Sequence, residues 1–147
     1  MKGDRIPNND HISRLCQPKS ITEEGKIHAS TFFLRDDEKG LSVNWLECLG
    51  CSSKEEEIIA IRDLYNKKFL RVGAKAKITI LNVGAVHEKV LIESLDRRNL
   101  EFFHEPEDFP IPDPSHSAIY NLRPDNVMIA ELILQLVNEN ATYPARK

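Results

Sequence analysis

Two histidines carry the strongest chemical potential in this chain, one near each end. They sit in Asp10-His11-Ile12-Ser13-Arg14 and Asp113-Pro114-Ser115-His116-Ser117-Ala118-Ile119. Imidazole is the side chain that changes charge near neutral pH, so a histidine beside a hydroxyl in a polar, turn-forming stretch is a candidate proton carrier or ligand. If both act together, His11 and His116 divide the general base and general acid roles on a phosphate or acyl group. Ser13 or Ser115 would orient them, and Arg14 would neutralise the developing negative charge.

A second grouping could bind metal. Cys48-Leu49-Gly50-Cys51 is a C-x-x-C with glycine inside the turn, and Cys16 and His11 would complete a four-ligand zinc set from upstream. The competing reading is three free thiols behaving as small hydrophobes. A redox centre is a further alternative, because Ser52-Ser53 open a helix just after Cys51, and a helix N-terminus lowers a thiol pKa. Asn82-Val83-Gly84-Ala85 has a glycine after an expected strand, but lacks G-x-G-x-x-G and G-K-[S/T], so it reads as an ordinary turn. The carboxylates of Glu105, Glu107, Asp108 and Asp113 do not match an EF-hand loop and read as a solvated acidic loop.

Three residues carry a resemblance. His11-Ile12-Ser13 is similar to the H-x-[S/T] element of two-histidine phosphoesterases, whose second copy would be His116-Ser117-Ala118, with alanine where a hydroxyl is required. It also resembles the first-strand histidine of ADP-ribosyl-transfer folds, which would assign Tyr120 and Glu131 to the later aromatic and glutamate. Each resemblance covers three residues and identifies no family.

These residues must be positioned by the elements around them. Leu41, Val43 and Trp45 alternate with Ser42 and Asn44, the period of a half-buried strand. With the β-prone Lys26–Arg35 and the glycine-ended loop between, that predicts a hairpin. Trp45, the one tryptophan, is a core anchor in this reading. Ser53 three residues before Glu56 is a capping-box spacing, and Ile58, Ile61 and Tyr65 continue at helical period toward Gly73. Lys77–Val83 reads as a buried strand, 86–95 as a helix and Leu100–His104 as a strand. Residues 105–124 hold five prolines, which predicts a long loop that is neither helix nor central strand. Phe109, Ile111, Ile119 and Tyr120 would anchor it to the body, beside the His11 segment. A closing amphipathic helix runs from a cap at Asp125 through Val127, Ile129, Leu132, Ile133, Leu136 and Val137.

The expected fold is therefore α+β: a mixed or antiparallel sheet covered by two or three helices, with one long Pro-rich loop. Residues 1–9 form a flexible lead-in, 10–140 one domain and 141–147 a frayed tail. With 147 residues the chain can bury a core without disulfides. A net charge of −3 argues against a nucleic-acid partner. The crowded Arg62, Lys67, Lys68, Arg71, Lys75 and Lys77 read as a solvated helix face and the turn after it. No apolar run is long enough for a membrane span and no signal-peptide core is evident, so the cytosol is the expected location. With no complete catalytic motif, the leading expectation is a non-catalytic binding or accessory protein acting through a protein partner. The alternative is a small histidine-dependent enzyme acting on a phosphate- or ribose-containing substrate, and a small-molecule ligand stays open.

Overall fold

Consecutive residues are buried in most of the central strands, as in Ile12-Ser13 of β1 and Ser117-Ala118-Ile119 of β5, because helices cover both faces of the sheet they form. The computed structural model describes residues 3–124 and 127–147. Strands β1 (His11–Cys16), β2 (Leu41–Trp45), β3 (Lys77–Asn82), β4 (Glu101–His104), β5 (His116–Tyr120) and β6 (Tyr143–Pro144) form one open sheet. Its order is β4-β5-β2-β1-β3-β6, with every neighbour antiparallel. Helix α1 (Lys54–Lys68) covers one face, packing Ile61 and Tyr65 on Leu46 and Ile78. Helices α2 (Val83–Glu93) and α3 (Val127–Leu134) cover the other, over Ile12, Leu41, Val43, Leu81 and Ile119. The fold is α+β with an antiparallel sheet. Among the described residues no helix is long and apolar enough to cross a membrane.

The start of α1 follows its capping signal. Ser53 Oγ accepts from Glu56 N–H (3.2 Å), while the Glu56 carboxylate reaches back one residue further, to Ser52 N–H (3.0 Å). The helix stops at Lys68, ahead of Gly73. Gly73 instead serves a close approach: a Cβ there would lie 2.4 Å from Pro18 Cγ. Helix α2 opens directly from β3, with Asn82 Oδ1 accepting from Ala85 N–H (2.9 Å). The expected cap at Asp125 lies outside the described residues.

Four expectations change. The stretch 26–35 does not pair with β2 as a hairpin. It holds one short 3-10 turn, Ala29–Phe32, begun by His28 Nδ1 accepting from Ser30 N–H (3.0 Å). Its apolar residues Ile27, Phe32 and Leu34 are buried beneath α3, so tertiary packing overrides β propensity. Second, 105–124 is not one loop. The prolines stop at Pro114 and resume at Pro124, and the proline-free window between them becomes β5, an inner strand. Third, the lead-in is held along β4. Gly3 N–H donates to His104 O, His104 N–H to Asp4 O and Ile6 N–H to Phe102 O, and Ile6 is buried. Fourth, the tail does not fray: β6 pairs with β3, and Ala145 is buried with its N–H on Ala76 O (2.9 Å).

Candidate functional site

His11 and His116 both lie in strands, not loops. In the sheet, Ser13 pairs with Asn44 and Asn44 with His116, so these three share a row on the face beneath α1. His11 is on the same face, two residues along β1 and two strands away from His116. A strand spacing of about 4.8 Å and a rise of about 3.4 Å per residue separate the two on the order of 12 Å. Among the described residues they share no hydrogen-bond or ion-pair partner.

His11 belongs to the corner after β2. Glu47, in the 3-10 turn that follows that strand, accepts from His11 N–H (2.7 Å) and from His11 Nδ1 (2.7 Å). An Nδ1 proton is thereby directed at the Glu47 carboxylate. A shallow cleft of about 270 Å³ lies there, lined by His11, Glu47, Cys51, Ser53, Lys54, Glu57 and Ile80. Burial and the neighbouring Glu47 carboxylate push the Glu57 carboxyl above its ordinary value, against the opposing pull of His11 and Lys54.

Ser13 and Arg14 are spent on the fold. Ser13 Oγ and the Tyr65 hydroxyl share a buried 2.7 Å hydrogen bond that ties β1 to α1. Burial pushes the Tyr65 phenol well above its ordinary pKa. Beyond Ser13 the β1–β2 pairing ends, and the Arg14 guanidinium fills the opening, donating to Ser42 O (2.6 Å) and Thr31 O. Two of its donors, on Nε and Nη1, thus serve backbone carbonyls.

The zinc set Cys16, Cys48, Cys51 and His11 is not brought together. Cys16 closes the far end of β1, buried on the opposite face, with its thiol on Ser20 O (3.3 Å) and Thr31 Oγ1 (3.0 Å). Burial raises its pKa. Cys48 lies within the turn after β2 and Cys51 just beyond it, and only Cys51 shares the cleft with His11. Among the described residues no three His, Cys, Asp or Glu side chains stand where they could hold a metal ion. Cys48 Sγ lies 3.7 Å from His104 Nε2, a nucleophile-and-base spacing in outline. That nitrogen, however, carries its proton toward Pro114 O (2.6 Å), so it cannot take one from the thiol. Burial and Asp113 raise the Cys48 pKa, which keeps the thiol protonated.

The other enzyme comparisons fare no better. Tyr120 faces α1 and donates to Glu105, whereas Glu131 is on α3 across the sheet. The start of α2 offers no anion site. Its first N–H groups are taken by Asp10 O, Asn8 O and Asn82 Oδ1, beside a shallow cleft of about 540 Å³.

The feature the sequence did not announce is a buried polar cluster centred on Asp113. Its carboxylate is fully buried and accepts from Lys68 Nζ (2.6 Å), Asn44 Nδ2 (2.9 Å) and Ser115 Oγ (2.9 Å). Burial alone would raise the Asp113 pKa; Lys68, Asn44 and Ser115 together outweigh it and hold the carboxyl below its ordinary value. Lys68 also holds Glu107 (2.9 Å), and His116 Nδ1 donates to Glu105 O (2.8 Å) while Nε2 faces Glu107 (3.8 Å). Ser115 and His116, expected as catalytic groups, thus brace the base of the loop. Glu107 and Asp113 exchange backbone hydrogen bonds (3.0 and 2.8 Å), closing a five-residue tip. Phe109 stands on that tip 86% exposed, not anchored to the body. The one legible sign was Asp113-Pro114-Ser115, an aspartate placed to bond backbone two residues on, as it does to Ser115 N–H (3.2 Å).

No model of a known protein family matches this chain, and neither a curated protein nor a solved structure does.

Proposed function

We propose that this chain is a non-catalytic binding protein that engages a protein partner in the cytosol through the tip at 108–112. One observation carries the reading: an aromatic ring 86% exposed on a loop whose base is locked by buried charge and two backbone hydrogen bonds. An exposed phenylalanine costs solvation in the free protein and recovers it in an apolar pocket, which is how aromatic anchors come to dominate interfaces. A fixed base means little ordering entropy is lost on docking. Asp108, Glu107 and Glu105 beside the tip favour a partner pocket with a basic rim. Three free cysteines suit a reducing compartment.

The test compares the protein recovered from its own cells, by native mass spectrometry, as wild type, Phe109→Ser and Leu95→Ser. The reading expects a stoichiometric complex for wild type and Leu95→Ser and none for Phe109→Ser. An undiminished complex with Phe109→Ser would end it.

A further inference from the structure

The two edges of the sheet are treated differently. The β4 edge is covered by residues 3–6, while β6 covers the β3 edge only at Lys77 and Ile78. The phase of the ladder follows from two bonds: Val83 N–H to Asp10 O, and Ala145 N–H to Ala76 O. Alternate residues of an antiparallel strand direct their backbone groups to opposite neighbours. Odd-numbered residues of β3 therefore bond β1, and even-numbered ones point outward. Ile78 meets Tyr143, but past it the N–H and C=O of Ile80 and the N–H of Asn82 have no backbone partner among the described residues. An unpaired edge of this kind is a template for one more strand.

The same strand position borders the His11 cleft. Ile80 pairs with Ser13, so its side chain is on the α1 face, where it lines the cleft with His11, Glu47 and Glu57. A residue placed opposite Ile80 would project its side chain to that same face. There it meets two carboxylates, Glu47 and Glu57, against the single ammonium of Lys54. The crowding of Glu57 by Glu47 is relieved by a cation.

We infer that the β3 edge at Ile80–Asn82 accepts an extended peptide as an added strand, with a lysine or arginine opposite Ile80 reaching Glu47 and Glu57. Main-chain bonds to Ile80 supply the docking and the charged cleft supplies the choice of side chain, as in strand-addition recognition generally. The site is on the opposite edge of the sheet from the one nearest Phe109, and does not rest on the reading of that tip.

The probe is an acetylated, amidated pentapeptide of threonines and valines with a central lysine, titrated into the full chain labelled with nitrogen-15. The expected result is saturable shifts of the Ile80 and Asn82 amides, slower exchange of both, and roughly tenfold weaker binding to Glu57→Gln. The same peptide N-methylated at its lysine, which removes the donor for Ile80 O, should give no response, and neither should one with central glutamate. Because the donor is removed from the peptide, folding of the protein is not at issue. No shift at millimolar peptide, equal response to the glutamate or N-methyl peptide, or unchanged affinity in Glu57→Gln would each overturn the inference. So would a peptide-free dimer that already protects the Ile80 amide, which would give the edge to a second copy of this chain.

Discussion

The two faces of the sheet differ in what they bury: mostly aliphatic side chains with the hydroxyls of Thr79 and Ser117 among them on one, a carboxylate and an amide on the other. Under α2 and α3 the space is filled by Ile12, Leu41, Val43, Val86, Val90, Ile129 and Ile133, all at most 3% exposed. Under α1 only the part around Leu46, Ile61, Val72 and Ile78 is apolar. Toward β2 and β5 the same face carries Ser13, Asn44, Asp113 and Ser115, each buried and each hydrogen-bonded. The apolar face stabilises without direction, so its residues exchange for others of similar volume. The polar face demands particular partners, because a buried group left alone costs more than the pair contributes. What that specificity secures is the base of the 108–112 tip.

The sharpest break of this contrast is Asp113→Ala, which takes the buried carboxylate from Lys68 and Asn44 and leaves them only Glu107 and Ser115 Oγ. It should cost about 3–5 kcal/mol in denaturant unfolding. A loss under about 1 kcal/mol would mean that the cluster does not hold the loop. The pH dependence follows from sign. A carboxyl whose folded pKa is depressed contributes stability that is present above its unfolded value, near 4, and lost as pH falls through the folded value. Wild type should therefore lose stability on acidification below about pH 4, and Asp113→Asn should show less of that loss. Lys68, raised by Asp113 and Glu107 against burial, contributes below about pH 10.4 and loses it as pH rises beyond its folded value.

On the apolar face Leu41→Ala should cost about 2–5 kcal/mol, cavity included, with no change in the acid dependence. An altered acid limb in that variant would show the two faces to be coupled. The smallest effect belongs to Tyr65→Phe, which leaves the Ser13 hydroxyl alone and should cost about 1–2 kcal/mol. Thermal unfolding reads it, and no loss at all would show that the hydroxyl finds another partner.

What could be read from residues alone was local. The cap at Ser53 and the stripe Ile58, Ile61 and Tyr65 made α1 legible, and alternation made β2 legible, because each depends on neighbours a few positions away. The hairpin expected from 26–35 failed because its β-prone residues are used to cover α3. The five prolines suggest one unbroken loop, yet the window 115–123 is free of them and holds β5. The candidate site was legible only as residue types. His11, Ser13, Arg14 and His116 each bond to the fold: to Glu47, Tyr65, the Thr31 and Ser42 carbonyls, and the Glu105 carbonyl.

By itself the sequence determined an α+β chain with a capped helix at Ser53, an alternating strand at Leu41–Trp45 and acidic, proline-bearing residues after His104. Only the tertiary structure decided that Lys68 would meet Asp113 across 45 positions, that β5 would enter between β4 and β2, and that Ile80 would be left at an open edge. Capping and periodicity are set by backbone geometry over a turn or two. Strand order, and therefore which polar groups are desolvated together, is set by the closure of long loops around a shared core.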